Sequence, residues 1–378
     1  MNKKHSSSPI GVLAIVIVML LAIGILGTVW LPAQIEADFG KADSRLNIFQ
    51  RINYSLNLYR QGVSLLSVPS TAAGERKFTI EMSESVSSIC TRLESEGFVK
   101  SGGLTRTYLI YSGLDRQIQA GTFTLPAHLN GVEVANRISD ASMRDIVFTL
   151  FSGWRIEEIA QNIDTLGFTF DGAAFRAFAY QPPSHILQAL NLPTGTSLEG
   201  YLFPGTYSLK PDISLEEMAA TLLTEFMLAT QDPTIQAGLA EQNLSLHQAI
   251  TLASIIERET ASTEEMATIA SVFYNRLNSG MRLETDPTVQ YAIGYDTNLG
   301  SWWKYPLTYE DLQVNSPYNT YLVVGLPPGP ICNPSLETIL AVAFPTQTPY
   351  YFFRAKCDGS QTHNFSITYE EHLNNACP

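Results

Sequence analysis

The alternation of apolar and polar positions divides the chain into stretches of different character. Gly11 to Trp30 reads GVLAIVIVMLLAIGILGTVW, with no charge and almost no polar atom. A run of about 20 apolar residues matches the hydrocarbon thickness of a bilayer, so residues 11–30 are expected to form a transmembrane helix. Asp43 to Leu66 carries Leu46, Phe49, Ile52, Leu56 and Tyr59 at roughly helical spacing, which predicts a helix near the membrane surface. With the linker-like stretch Ser67–Gly74 it makes residues 31–77 a juxtamembrane stalk. From Phe78 a pattern begins that returns at Phe148: a short strand, a turn, and an amphipathic helix closed by Gly97 or Gly167. Its second half recurs as well. Gly121–Leu125 and Gly205–Leu209 are alternating strands, each followed by an N-cap candidate, Asn130 or Ser214, and a further helix.

After Leu222 the helices lengthen. Ser245 to Glu259 is a nearly all-apolar helix, with His247, Ser254, Glu257 and Glu259 as its polar exceptions. Glu264–Leu277 is a second helix. Gly- and Pro-rich loops, a helix around Leu336–Phe344 and a final strand, Tyr350–Ala355, complete the chain. Helices and strands mix here without βαβ alternation, which predicts an α+β fold.

Charge gives the apolar run a direction. Lys3, Lys4 and His5 precede it, whereas Glu36, Asp38 and Asp43 follow it. The positive-inside bias leaves residues 1–10 as a cytoplasmic tail and everything after Trp30 outside, as a single-pass protein of the cell membrane. A cleaved signal peptide, with Leu31-Pro32-Ala33 as candidate site, is the alternative, and it exports the same residues. A net charge of −13 argues against nucleic acid, whose binding rests on Lys and Arg displacing counterions. Cys90, Cys332, Cys357 and Cys377 show no CxxC pair and no zinc-ligand spacing, so no metal or cofactor is expected. Outside the cytoplasm Cys357–Cys377 would staple the C-terminus; four unpaired thiols fit the sequence equally well.

The candidate chemistry lies in Leu252-Ala-Ser-Ile-Ile-Glu-Arg-Glu-Thr260. A helix apolar on all sides belongs inside a protein. A carboxyl at its end is expected to lose hydration, which disfavours the charged form and suits a proton donor to a glycosidic oxygen. The bland reading is a helix-end glutamate that pairs with Arg258 or reaches solvent. Helical phase does not choose between Glu257 and Glu259, since both share a face with apolar residues.

Around this helix stand Leu198-Glu-Gly-Tyr-Leu-Phe-Pro-Gly-Thr-Tyr207, Val272-Phe-Tyr-Asn-Arg-Leu277, Met281-Arg-Leu-Glu-Thr-Asp-Pro-Thr-Val289, Ser316-Pro-Tyr-Asn-Thr-Tyr321, Gly325-Leu-Pro-Pro-Gly-Pro-Ile331 with Asn333-Pro334, and Thr362-His-Asn-Phe-Ser366. In order and wording this set resembles the YceG-like family of endolytic murein transglycosylases (the MltG family), from about residue 78 to about 373. Residues 78–145 resemble in layout the LysM-like domain that precedes the catalytic part of such enzymes, and 146–378 would be the YceG-like catalytic domain. The resemblance implies that Glu257 is the catalytic acid. Glu199 is the candidate second carboxylate. Tyr201, Tyr318 and Tyr321 offer faces for sugar rings. Asn319 and Thr320 offer donors and acceptors, or hold a turn. Arg276 and Asp286 would pair with each other or orient the acid, Thr285 accompanies them, and His363 and Asn364 close the set. Pro327–Pro330 is expected to shape a wall of the cleft. The chain departs from the family pattern at Glu284 (more often Gln), Ser335 (often Gly), Arg354 (usually Val) and at Cys357 and Cys377. None of these departures is expected to touch the acid.

The resemblance implies cleavage of the β-1,4 bond between N-acetylmuramic acid and N-acetylglucosamine in nascent peptidoglycan, giving 1,6-anhydro ends and limiting strand length. Implied partners are peptidoglycan glycan strands, the cytoplasmic membrane through residues 11–30, and peptidoglycan synthases or penicillin-binding proteins. Two rival readings stay open: a muramidase using Glu257 with Glu199, Glu259 or Asp286, and a non-catalytic wall-binding scaffold.

Overall fold

The computed structural model describes residues 26–69, 74–260 and 262–377, with scattered positions between 13 and 24. Half of the expected transmembrane run 11–30 lies outside the described residues. Among the described residues no helix is long and apolar enough to cross a membrane. The chain divides after Asp145 into two compact units, described separately here.

The first unit opens with helices α1 (Leu31–Phe39) and α2 (Ile48–Leu65). Asn47 caps α2 in a reciprocal box with Gln50. Phe39 lies so close over Gly62 that a Cβ there would stand 2.7 Å from its ring. Strand β1 (Glu75–Ile80) pairs antiparallel with β2 (Gly121–Pro126), Phe78 opposite Phe123. Between them run α3 (Val86–Ser95) and α4 (Gly102–Ser112), and α5 (Gly131–Ser139) follows, boxed by Asn130 and Glu133.

The second unit begins with the same plan. β3 (Ile146–Leu150) pairs antiparallel with β4 (Gly205–Leu209), Phe148 opposite Tyr207. Between them lie α6 (Ile156–Ile163), α7 (Gly172–Tyr180) and α8 (Ser184–Ala189), and α9 (Leu215–Thr230) follows, boxed by Ser214 and Glu217. The two copies match in detail. Thr79 shares a hydroxyl bond with Thr122, and Thr149 with Thr206. Glu94 accepts from the Gly102 amide and Asp164 from the Gly172 amide, each at 2.7 Å. Both glycines are required by packing, because a Cβ would meet the carbonyl oxygen of Cys90 or Ala160 at about 2 Å.

Helices then dominate: α10 (Pro233–Glu241), α11 (Leu246–Glu259), α12 (Thr263–Asn278), α13 (Asp286–Ile293) and α14 (Leu336–Ala343). The expected last strand is real but shorter, as β5 (Phe352–Ala355). It is not the last, since β6 (His363–Ser366) pairs with it and α15 (Tyr369–Asn374) ends the chain. The polar wording of β6 hides it from an alternation count. Among the described residues, helices with three two-stranded antiparallel sheets make the fold α+β. Cys357 and Cys377 form a disulfide, while Cys90 and Cys332 are buried free thiols.

Candidate functional site

Helix α11 is buried without a break from Ala249 to Ile256, capped by Ser245 in a box with Gln248. Its last turn leaves the core, so Glu257, Arg258 and Glu259 are each half-buried at its end. They form one side of an open cleft of about 530 Å³, lined also by Ser152, Thr260, Thr263, Met266, Ser335 and Glu337.

Glu257 is held by one oxygen. Its Oε2 accepts from the Ser335 amide at 2.9 Å, from the Ser335 hydroxyl at 2.6 Å, and from the Thr338 hydroxyl. Ser335 is the N-cap of α14, so the carboxylate meets the positive end of that helix. The Oε1 atom has no protein partner among the described residues. Ser335 therefore touches the acid directly, contrary to the expectation drawn from its departure from the family pattern. The expected dry pocket around Glu257 is also absent, because the helix emerges from the core one residue too early.

Dehydration acts two residues later. Burial, reinforced by Asp286 and opposed by Arg276, pushes the Glu259 carboxyl up to about 8 although the residue is only half-buried as a whole. Asp286, at the start of α13, accepts from the Tyr321 hydroxyl at 2.7 Å. Arg276 and Asp286 are not paired. Arg276 instead donates to the carbonyls of Tyr351 (2.7 Å) and Leu283 (2.6 Å), with Glu284 3.9 Å away as its charge partner.

Asn333 fixes the far wall. Its side chain donates to the Trp154 carbonyl and accepts from the Leu202 amide, both at 2.9 Å, while its own carbonyl accepts from Gly153. This ties the loop bearing Ser335 to the turn after β3. Gly153 adopts φ +77°, a conformation in which a side chain is strained, and a Cβ there would fall 3.2 Å from the Arg258 guanidinium. Arg258 in turn lies 3.9 Å over the Trp303 ring, and Trp303 donates to Glu158.

The other residues singled out from the sequence have mostly internal duties. Glu199 is buried and accepts from the Ile156 amide and the Tyr291 hydroxyl. Burial and neighbouring Glu157 push it up to about 8 against the pull of Arg155. Asn333 also donates to it at 3.5 Å, but Glu199 itself does not line the Glu257 cleft. Tyr201 is wholly buried, its hydroxyl 2.6 Å from His247 Nδ1. Tyr318 packs on Tyr291, and Tyr321 serves Asp286. Asn319 donates to the Leu312 and Val314 carbonyls, which is the turn-holding alternative. Thr285 and Thr320 join Thr288 in a buried hydroxyl cluster. His363 pairs with Glu265, and Asn364 lies opposite Arg354 in the last sheet. The Pro327–Pro330 loop turns away from the cleft: His247 donates to the Pro328 carbonyl, and Pro330 covers Gly200. Sequence reasoning missed Thr338 and Ser152, and gave Asn333 a place in the motif set but no role. The Ser335…Thr338 spacing at a helix start was the readable signal for the first.

The sequence pattern of the YceG-like family matches residues 78–377. A protein of Bacillus subtilis (strain 168) named "Endolytic murein transglycosylase" is 32% identical over 305 residues, 78% of this chain and 81% of that protein. A protein of the same name from Streptococcus pneumoniae is 31% identical over 316 residues, and this chain spans 56% of its length. The crystal structure of a YceG-like protein of Listeria monocytogenes, 30% identical, matches with a TM-score of 0.53 over 80% of this chain and 99% of that one. The chain belongs to the YceG-like family.

Proposed function

We propose that the protein is a lytic transglycosylase of murein in which Glu257 is both proton donor and proton acceptor. The observation that carries the reading is the asymmetry of that carboxyl: one oxygen is fixed by three donors, and the other is unpartnered on the floor of an open cleft. A fixed group with one free oxygen suits proton exchange with a sugar, where geometry matters before acidity. The relatives' printed names supply the substrate class.

Protonated Glu257 gives its proton to the oxygen that leaves C1 of N-acetylmuramic acid as the β-1,4 bond to N-acetylglucosamine breaks. An oxocarbenium-like state develops at C1. The muramic 6-hydroxyl then bonds to C1 and returns its proton to the ionised Glu257. One bond to C1 is lost and one gained, no water is consumed, and the carboxyl is reset. Residues 11–30 anchor the enzyme with its N-terminus inside, which confines cutting to nascent strands beside the synthases and limits strand length.

The muramidase reading is favoured by one observation, the presence of Glu259 in the same cleft. Digestion of purified murein followed by mass spectrometry separates the two. Anhydro-muramic ends are expected; reducing ends carrying one added water would replace transglycosylation by hydrolysis. Glu257→Gln is expected to lower turnover about 10²- to 10⁴-fold. Wild-type turnover in that variant removes Glu257 from the mechanism. If the unsubstituted protein binds murein without cutting it, the scaffold reading takes over.

A further inference from the structure

Helix α2 has two apolar faces, and only one is used. Ser55, Leu58, Gly62 and Leu65 face the core of the first unit. Beside them runs a second stripe at alternating spacings of three and four: Phe49, Ile52, Leu56, Tyr59, Val63 and Leu66. Phe49 is 81% and Val63 83% exposed, and Leu56, Tyr59 and Leu66 are exposed as well. Scattered surface apolar residues are ordinary, whereas a continuous stripe is not.

Position and charge say what covers it. Trp30 ends the apolar run, and its ring meets Tyr59, in the middle of the stripe, edge-on at 5.9 Å. If residues 11–30 enter the bilayer, the stripe is held where the bilayer surface begins. Trp and Tyr are the residue types that favour that level. Between Asp43 and Glu75 the chain has no acidic residue, yet it carries Arg45, Arg51 and Arg60, in a protein of net charge −13. Arg45 is engaged with Asp43 and Arg51 with Glu36. Arg60 is exposed and follows Tyr59 directly.

We infer that α2 lies on the outer face of the membrane as an interfacial helix, its stripe sunk among anionic lipid headgroups. The inference rests on the reading of residues 11–30 as the membrane segment. Such a helix buries an apolar face at the acyl boundary and draws cationic side chains to headgroup phosphates. It would brace the first unit against the bilayer, rather than leave it swinging on a single span.

The test uses the full-length chain in vesicles of phosphatidylglycerol and phosphatidylcholine, some carrying nitroxide on the lipid. Environment-sensitive dyes are placed on Leu56→Cys and Val63→Cys in the stripe, on Gln61→Cys away from it, and on Val18→Cys within the apolar run. Expected are strong lipid quenching at 18, 56 and 63, little at 61, and quenching at 56 and 63 that rises with the phosphatidylglycerol fraction. Quenching at 18 without quenching at 56 and 63 overturns the inference and leaves the anchor standing. No quenching at any of the three overturns both. Copies that crosslink through Leu56→Cys while the dye there is shielded from lipid would make the stripe a seam between two chains, which also overturns it. Quenching at 56 and 63 that ignores the anionic fraction removes the claim for anionic headgroups.

Discussion

Thr338→Val is the sharpest probe of how Glu257 is held. The substitution keeps the β-branch and nearly the volume of a fully buried side chain and removes only the hydroxyl that donates to Oε2. Oε2 then keeps the amide and hydroxyl of Ser335 and loses one of three donors. A hydrogen bond to a charged group contributes about 1.5–3 kcal/mol. Part of that loss appears as stability. The rest appears as freedom of the carboxyl, and a displacement of about 1 Å at a reacting group costs roughly 100-fold. On the proposed role of Glu257 we expect kcat to fall about 10- to 100-fold with KM little changed, the signature of an interaction made in the transition state and not in general substrate binding. The assay is release of anhydro-muropeptides from purified murein, followed by chromatography and mass spectrometry, with circular dichroism to verify folding. Thr338→Ser, which restores a hydroxyl, should recover most of the lost rate. A folded Thr338→Val with wild-type kcat, or a Thr338→Ser as slow as the valine variant, would refute the positioning argument.

Three further outcomes follow from the same geometry. Burial raises the Glu259 carboxyl to about 8 from its ordinary 4.5, so the native state holds a proton that the unfolded chain releases; stability should fall as pH rises from about 4.5 to about 8, and Glu259→Gln should flatten that slope in denaturant titrations. Asn333→Ala strands the buried Leu202 amide and removes a bond from Trp154, which should cost about 2–4 kcal/mol by chemical denaturation and slow turnover as the Ser335 loop loosens. Replacing Cys357 and Cys377 together by Ser opens a loop of separation 20 and should cost about 3 kcal/mol on a chain-entropy argument, read as a lower melting temperature.

Local rules carried much of the fold because they act over a few residues. The caps Asn130 and Ser214 were readable since each bonds three residues ahead, and both form boxes. Gly97 was readable because it follows α3 in the left-handed region at φ 74°, where a side chain would be strained. Gly167 shows the limit of the rule: it also has positive φ, but ends a turn, residues 164–167, that follows the last residue of α6. The acid's partners were not readable. Ser335 and Thr338 lie 78 and 81 residues from Glu257, and no periodicity links positions that only the tertiary fold brings together. Tyr201 shows the opposite failure. An aromatic with a hydroxyl tip suits a sugar face and a satisfied core equally, and His247 supplies the partner that makes it core. Helical phase likewise left Glu257 and Glu259 equivalent, although one meets a helix N-terminus and the other a dehydrated corner beside Asp286.

The internal repeat explains why the cleft opens where it does. The turn that follows the first strand of each copy has a left-handed residue at the matching place, Ser83 at φ 63° in the first and Gly153 at φ 77° in the second. In the first copy the residue before it, Met82, is 87% exposed and the turn accommodates a side chain at the strained position. In the second copy Ser152 lines the cleft, and a Cβ at position 153 would lie 3.2 Å from the Arg258 guanidinium and 3.8 Å from the Glu257 stem. The two turns thus share a backbone shape, while Met82 and Ser83 of the first are matched by the smaller Ser152 and Gly153 of the second. At that turn the Asn333 carbonyl accepts from the Gly153 amide, while Ser335, two residues on, binds the acid. The catalytic proposal therefore depends on a backbone shape that the second copy shares with the first, and on the missing side chain that distinguishes them.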